Sequence, residues 1–205
     1  MAFPVLIIGR SGSGKSRSLK NFKPEELGVI KVIEKEFPFR SELRSATTSD
    51  YANIKGILLK AGTLSIVIDD AGYLLTDEFM RRATEKGYDK FTDLANNFYD
   101  FIKFIQTQLP REKIVYIMMH EVENEITGEV KPKTLGKLLD EKVCIEGLFT
   151  VVLRCVDHKF LTNNSGCAKT PEGMFENDEI ENDLKLVDNA IRNYYNLGGN
   201  KNEGN

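Results

Sequence analysis

A series of short apolar runs punctuates the chain: Phe3-Pro4-Val5-Leu6-Ile7-Ile8, Val29-Ile30-Lys31-Val32-Ile33, Leu64-Ser65-Ile66-Val67-Ile68, Ile114-Val115-Tyr116-Ile117-Met118-Met119 and Leu148-Phe149-Thr150-Val151-Val152-Leu153. Each is short and rich in β-branched residues, which predicts strands, and their near-continuous apolarity predicts burial on both faces, as in a mostly parallel sheet. Between them the period changes to that of helices. Tyr51 to Lys60 reads as a helix closing at a Gly62 C-cap, and Leu75 to Leu109 as helical with a break near Gly87. In the latter, Phe91, Leu94, Phe98, Phe101, Ile102 and Ile105 recur at steps of one, three and four residues, so this stripe is read as core. Lys15 to Phe22 has room for a short helix, and Ile180 to Leu197 is amphipathic and predicts a closing helix. His158 to Thr162 is expected to return on the strand ending at Val156 as an antiparallel hairpin through a turn containing Asp157. The pattern is that of one α/β domain over 1–197, with 198–205 having the composition of a disordered tail.

The first run ends in Gly9-Arg10-Ser11-Gly12-Ser13-Gly14-Lys15-Ser16, the Walker A spacing of Gly, four residues, Gly-Lys-Ser. Placed after a buried strand, it reads as a phosphate-binding loop. Gly9, Gly12 and Gly14 are expected to take positive φ and bring N–H groups to phosphate oxygens. Lys15 would meet the β- and γ-phosphates, Ser16 would ligate Mg²⁺, and a following helix would add its N-terminal partial charge. ATP or GTP with Mg²⁺ is the implied ligand. The third run ends in Asp69-Asp70, the Walker B form, which assigns Asp69 to the metal ion and leaves Asp70 as either a water-activating base or a helix N-cap.

Other strand ends are also polar. Glu34 and Glu36 follow the second run, where they read either as reaching the nucleotide or as a solvated charge cluster, and His120-Glu121 follow the fourth, where His120 reads as a contact for the γ-phosphate or the attacking water that Glu121 orients, or else as a structural histidine. Val122 to Val143 is turn-rich, with Gly128, Pro132, Gly136 and several lysines, and is expected to be a mobile loop at the ligand edge. Met80-Arg81-Arg82 and Lys86 to Lys90 form a basic elbow that reads either as a solvated charge run or as a contact for DNA or a neighbouring subunit.

Composition narrows the partners. With 205 residues, 41% hydrophobic and a net charge of −3, the chain can bury a full core and is no uniformly basic nucleic-acid coat. No apolar run approaches the roughly 20 residues that span a bilayer, and Met1-Ala2-Phe3 lacks the basic start of a signal peptide, so the expectation is a cytosolic protein with no membrane role. Cys144, Cys155 and Cys167 fit no zinc spacing and are expected to be reduced packing residues.

The two nucleotide motifs, the strand ending His120-Glu121, the stretches Gly87-Tyr88-Asp89-Lys90-Phe91-Thr92-Asp93-Leu94 and Lys131-Pro132-Lys133-Thr134-Leu135-Gly136-Lys137-Leu138-Leu139-Asp140, and the closing Lys169-Thr170-Pro171-Glu172-Gly173-Met174-Phe175 together resemble the small RecA-like ATPases of bacteriophages. The chain is most similar to the Sak-type group implicated in single-strand annealing and homologous recombination. The resemblance implies a three-layer RecA-like core in which the Walker A and Walker B strands flank the strand ending at His120. It also implies ATP hydrolysis between subunits of a ring or filament in the cytoplasm of a bacterial host. Single-stranded DNA is the implied partner, together with a phage single-strand DNA-binding protein. Glu34 matches the glutamate that acts as base in RecA-like enzymes, and His120 the residue that senses the γ-phosphate. Asp70 departs from the Ser or Thr more usual there and stays a second candidate for the base. With Arg10 the only arginine expected near the phosphates, a further cation is expected in trans, from Lys169 or else Lys159. A P-loop kinase and a nucleotide-dependent scaffold without turnover are the alternatives; the kinase would need an arginine-rich lid, and 122–143 contains lysine but no arginine.

Overall fold

The computed structural model describes residues 1–87, 89–135 and 143–197. Tyr88, the 136–142 portion of the expected loop and the expected tail at 198–205 lie outside the described residues. The apolar runs form β1 (Phe3–Gly9), β2 (Leu27–Lys31), β4 (Ser65–Asp69), β5 (Ile114–Glu123) and β7 (Val151–Val156), with a short β3 (Ser45–Thr47) between β2 and β4. Among the described residues the α-helices are α1 (Tyr51–Lys60), α2 (Tyr73–Arg81), α3 (Asp89–Gln108) and α4 (Leu184–Tyr195). Three further short strands occur among the described residues: β6 (Val130–Pro132), β8 (Lys159–Leu161) and β9 (Glu179–Glu181).

The nine strands form one mixed sheet in the order β3-β2-β4-β5-β1-β7-β8-β9, with β6 added to β5. From β3 through β7 the neighbours are parallel; β8, β9 and β6 are antiparallel additions. The architecture is therefore α/β with a mostly parallel sheet and the expected C-terminal hairpin. β5 lies between β1 and β4 and pairs with both, so the strand bearing His120 separates the phosphate-loop strand from the strand ending in Asp69.

The continuous apolar runs resolve into two faces because side chains alternate along a strand. Leu6, Ile8, Ile66, Ile68, Val115 and Ile117 pack against Ile54 and Leu58 of α1, Leu74 and Leu75 of α2, and Leu94, Phe98, Phe101, Ile102 and Ile105 of α3. Val5, Ile7, Val67, Tyr116, Met118, Val151 and Leu153 face Leu19, Phe22 and the apolar side of α4 (Leu184, Val187, Ile191). The α3 stripe is core, as its periodicity predicts. Beneath α4 lies a buried polar knot: the Asp188 carboxylate accepts from Ser65 Oγ at 2.6 Å, Tyr116 OH at 2.8 Å and Arg192 Nε at 2.8 Å.

Several expectations are corrected. The helix predicted from Lys15 to Phe22 is one 3₁₀ turn, Ser16–Leu19, whose Ser18 hydroxyl takes the Lys15 carbonyl at 2.6 Å in competition with the backbone ladder. α1 ends at an extended Ala61 rather than in a Gly62 cap. The fifth strand starts later than predicted because Ile145–Leu148 is a 3₁₀ turn. β5 does not stop at His120; it runs on to Glu123 and pairs with β6, so part of the expected loop is a hairpin. Among the cysteines, Cys155 is buried but Cys144 is exposed, so packing explains the first and not the second. Among the described residues, no helix is long and apolar enough to cross a membrane.

Candidate nucleotide-binding site

The parallel registers deliver the candidate residues to one edge of the sheet. Gly9 at the end of β1 stands level with His120 of β5 and Cys155 of β7. β4 ends beside them at Asp69. The loop after β1 then turns over this edge, with Gly12 at φ 78° and Gly14 at φ 111°, the left-handed region that favours glycine. Gly9 differs from expectation: its φ is not positive, and its lack of a side chain serves close approach, since a Cβ there would stand 2.6 Å from the Cys155 carbonyl.

A cleft of about 300 Å³ opens beside the loop, lined by Ser11, Gly12, Gly14, Lys15, Ser16, Arg17, Lys35, Glu36, Pro38, Asp70, His120 and His158. Lys15 is buried, and its Nζ donates to the carbonyls of Gly9 at 2.7 Å and Arg10 at 3.0 Å. Burial pulls its pKa down, opposed by the nearby Asp70 carboxylate. The Ser16 hydroxyl donates to Asp69 Oδ2 at 2.8 Å across 53 positions of sequence. Asp69 Oδ1 is buried and has no hydrogen-bond partner. Burial first, and the adjacent Asp70 second, raise the Asp69 pKa.

An orphaned carboxylate oxygen next to a serine hydroxyl fits a divalent cation. Mg²⁺ commonly takes one or two protein ligands and completes its shell with phosphate oxygens and water. Ser16 and Asp69 are the residues that would hold it. No cluster of three or more His, Cys, Asp or Glu suited to a metal occurs among the described residues, and a cation shared with nucleotide phosphates requires none.

Asp70 leaves the strand at φ 58°. The N-cap reading of Asp70 is not what the chain adopts: α2 is preceded by Gly72, and the Asp70 carboxylate turns into the cleft. There it pairs with Lys35, and Oδ1 lies 3.5 Å from His120 Nε2. The His120 pKa is lowered, by burial first and then by Lys15, so its imidazole is neutral near pH 7. Glu121 points away from His120. Its side chain is 2% exposed and accepts from Arg154 at 2.9 and 3.0 Å, so it orients that arginine instead.

The other candidates are spread more widely. Glu34 is exposed and is not among the residues lining the cleft, whereas Glu36 is. Arg10 reaches over the sheet edge to Glu123 at 2.6 Å. Lys169 is half-buried and exchanges backbone hydrogen bonds with Val152, away from the cleft lining, and Lys159 is 3.8 Å from Glu179. In the basic elbow, Arg82 pairs with Glu85 and Asp93, and Lys90 is buried with its Nζ on the carbonyls of Arg82 and Glu85. The elbow is thus largely tied to itself.

Sequence reasoning missed Lys35, Arg17 and His158 in the cleft and Arg154 beside it. The expectation of Arg10 as the sole arginine near the phosphates is corrected: Arg17 lines the cleft, and Arg154 with Arg10 lines a neighbouring cavity of about 450 Å³. A signal existed for Lys35, which lies four residues beyond the end of β2, between the carboxylates Glu34 and Glu36 that chemistry at a strand end singles out first. His158 enters because the hairpin turn Asp157-His158, both at positive φ, hangs over the loop, with His158 N–H on the Ser13 carbonyl at 3.0 Å. Comparison with known proteins gives no match to a family model and none to a curated sequence.

Proposed function

We propose that the chain is a Mg²⁺-dependent ATPase of RecA-like type that works on single-stranded DNA in recombination or annealing. One observation carries the nucleotide reading: Lys15, Ser16, Asp70 and His120, brought from the ends of three neighbouring strands, line one cleft bounded by positive-φ glycines, with Asp69 bonded to Ser16 behind it. Lys15 would exchange its two carbonyl partners for phosphate oxygens, and backbone N–H groups of Gly12 to Ser16 would complete the cradle. Bound Mg²⁺ supplies charge neutralisation at the phosphates. Water attacks the terminal phosphorus, the bond to the β-phosphate oxygen breaks, and a carboxylate takes the water proton. Asp70 is favoured over Glu34 for that carboxylate, because it lines the cleft and touches His120 while Glu34 is exposed outside it.

The DNA part of the proposal rests on the sequence resemblance and is supported by one connection. His120 lines a second cavity, about 270 Å³, with Lys133, Thr134 and Leu135, and the Lys133 N–H donates to the His120 carbonyl at 2.7 Å. Of that segment's lysines, Lys131 and Lys133 are therefore tied through the backbone to the strand whose His120 would face the phosphates. A kinase reading gains the arginines Arg10 and Arg154, but both guanidiniums are engaged by Glu123 and Glu121. The test is phosphate release from ATP with and without single-stranded DNA. Turnover should rise with DNA; turnover indifferent to DNA, or phosphate appearing on a metabolite, contradicts the proposal.

A further inference from the structure

Lys35 has no role in the reading above, yet it stands inside the cleft with Lys15, Asp70 and His120. Its ammonium is ion-paired with the Asp70 carboxylate. Burial is the largest single influence and draws its pKa down, but the hydrogen bond to Asp70 together with the negative charges of Asp70 and Asp69 makes the net change upward, so the charge is retained. The backbone that carries it is held in place. Val32 N–H donates to the Asp69 carbonyl at 3.1 Å, the buried Lys31 Nζ donates to the Lys35 carbonyl at 2.8 Å, and Lys31 also sits 4.0 Å over the Phe37 ring. The side chain itself is 45% exposed, free to swing where its main chain is not.

Phosphoryl transfer spreads negative charge over the terminal oxygens, and a cation beyond the loop lysine and the metal ion stabilises it. Resting on the ATPase reading, we propose that Lys35 is that cation, supplied by the same subunit: it exchanges the Asp70 carboxylate for an oxygen of the terminal phosphate. The exchange does two things at once. It places a point charge where charge develops, and it frees Asp70, next to neutral His120, to accept a proton from water. While Lys35 holds Asp70, that carboxylate is occupied. Water activation is thereby linked to arrival of a terminal phosphate, which ADP lacks.

The competing view is that Lys35 merely neutralises a buried acid. Binding constants separate the two without relying on turnover. Displacement of a fluorescent nucleotide by ATP and by ADP, both with Mg²⁺, is measured on the folded parent, Lys35→Met, Lys35→Arg, Asp70→Asn and the double variant Asp70→Asn/Lys35→Met. In Lys35→Met the ATP affinity is expected to fall about tenfold or more, as for loss of one charge-assisted bond, with ADP affinity changed less than about twofold. Lys35→Arg should keep most of the preference for ATP. Asp70→Asn removes the competitor for Lys35, so it should bind ATP more tightly than the parent and ADP equally well. The double variant carries no unpaired acid and keeps the comparison open if Lys35→Met fails to fold; it should lose the gain made by Asp70→Asn. Equal changes for ATP and ADP, or an ATP-specific loss in Arg17→Ala and not in Lys35→Met, overturn the proposal. Failure of the parent to bind either nucleotide, or binding insensitive to Lys15→Ala, overturns the ATPase reading itself.

Discussion

Asp69 holds a buried carboxylate with one oxygen unpartnered, an arrangement that costs stability and is kept by proteins where a ligand uses it. Because its pKa is raised in the fold, the folded state binds the proton more tightly than the unfolded chain. This group therefore favours folding in acid, and that contribution is lost as pH rises from the ordinary 3.8 through its folded value. Asp69→Asn should raise the thermal midpoint, with the gain over the parent growing as pH rises above the ordinary carboxylate range. A gain of ~1 kcal/mol would move the midpoint by about 2–4 °C. The same variant should lose the Mg²⁺ dependence of nucleotide binding. Melting curves across pH with parallel titrations check both; a lower midpoint at pH 7 contradicts the reading. For the base, Asp70→Asn should lower ATP turnover about a hundredfold or more, the usual size for a missing general base, and Glu34→Gln less than tenfold. The reverse order would return the role to Glu34.

At the scale of elements, what the sequence showed depended on how much of each element's stability is local. β1, β4 and β5 are long apolar runs buried on both faces, so their pattern names them; α1 and α3 carry their own periodicity. β3 and β9 have only three residues each, formed because a sheet edge was there to pair with, and no local pattern announces them. The one-turn helix after the loop was misread because spacing showed room for a helix but not the side-chain competition at Ser18. In the site, the glycines, Lys15, Ser16 and Asp69 were legible from spacing. Lys35 and His158 were not, since their place depends on how two distant turns fold over the loop. The acid under α4 was equally hidden: amphipathicity predicts the helix but not that Asp188 faces inward to Ser65, Tyr116 and Arg192. Asp188→Ala should destabilise the protein by about 3 kcal/mol, since it takes the acceptor from the buried Ser65 and Tyr116 hydroxyls and one partner from the half-buried Arg192. Denaturant unfolding measures this; a loss below about 1 kcal/mol would mean the knot is dispensable.

For the whole molecule, the sheet order sets how the parts are coupled. β5 sits between the strand that starts the phosphate loop and the strand that ends in Asp69, and it continues past both into the β6 hairpin, whose following residues carry Lys133. A change at His120 thus has a direct backbone route to the basic segment. Self-association remains a proposal, and Lys169 is its sharpest handle, because it stands off its own cleft. If Lys169 acts on a neighbour's nucleotide, inactive Lys169→Ala and inactive Lys15→Ala should regain some ATPase activity when co-assembled, since one interface then joins an intact loop to an intact lysine. Mixtures that co-assemble by native mass measurement but stay inactive would place Lys169 outside the chemistry, and the lysine in the cleft itself would suffice.

The proposed function stands on one interaction, the binding of a nucleotide by the loop Gly9 to Ser16 through Lys15. Calorimetric titration of ATP into the parent and into Lys15→Ala, with and without Mg²⁺, tests it most directly. The parent should show a single site that tightens with Mg²⁺, and the variant, still folded by circular dichroism, an affinity at least about a hundredfold weaker. A folded Lys15→Ala that binds Mg²⁺ and ATP as tightly as the parent would contradict the claim.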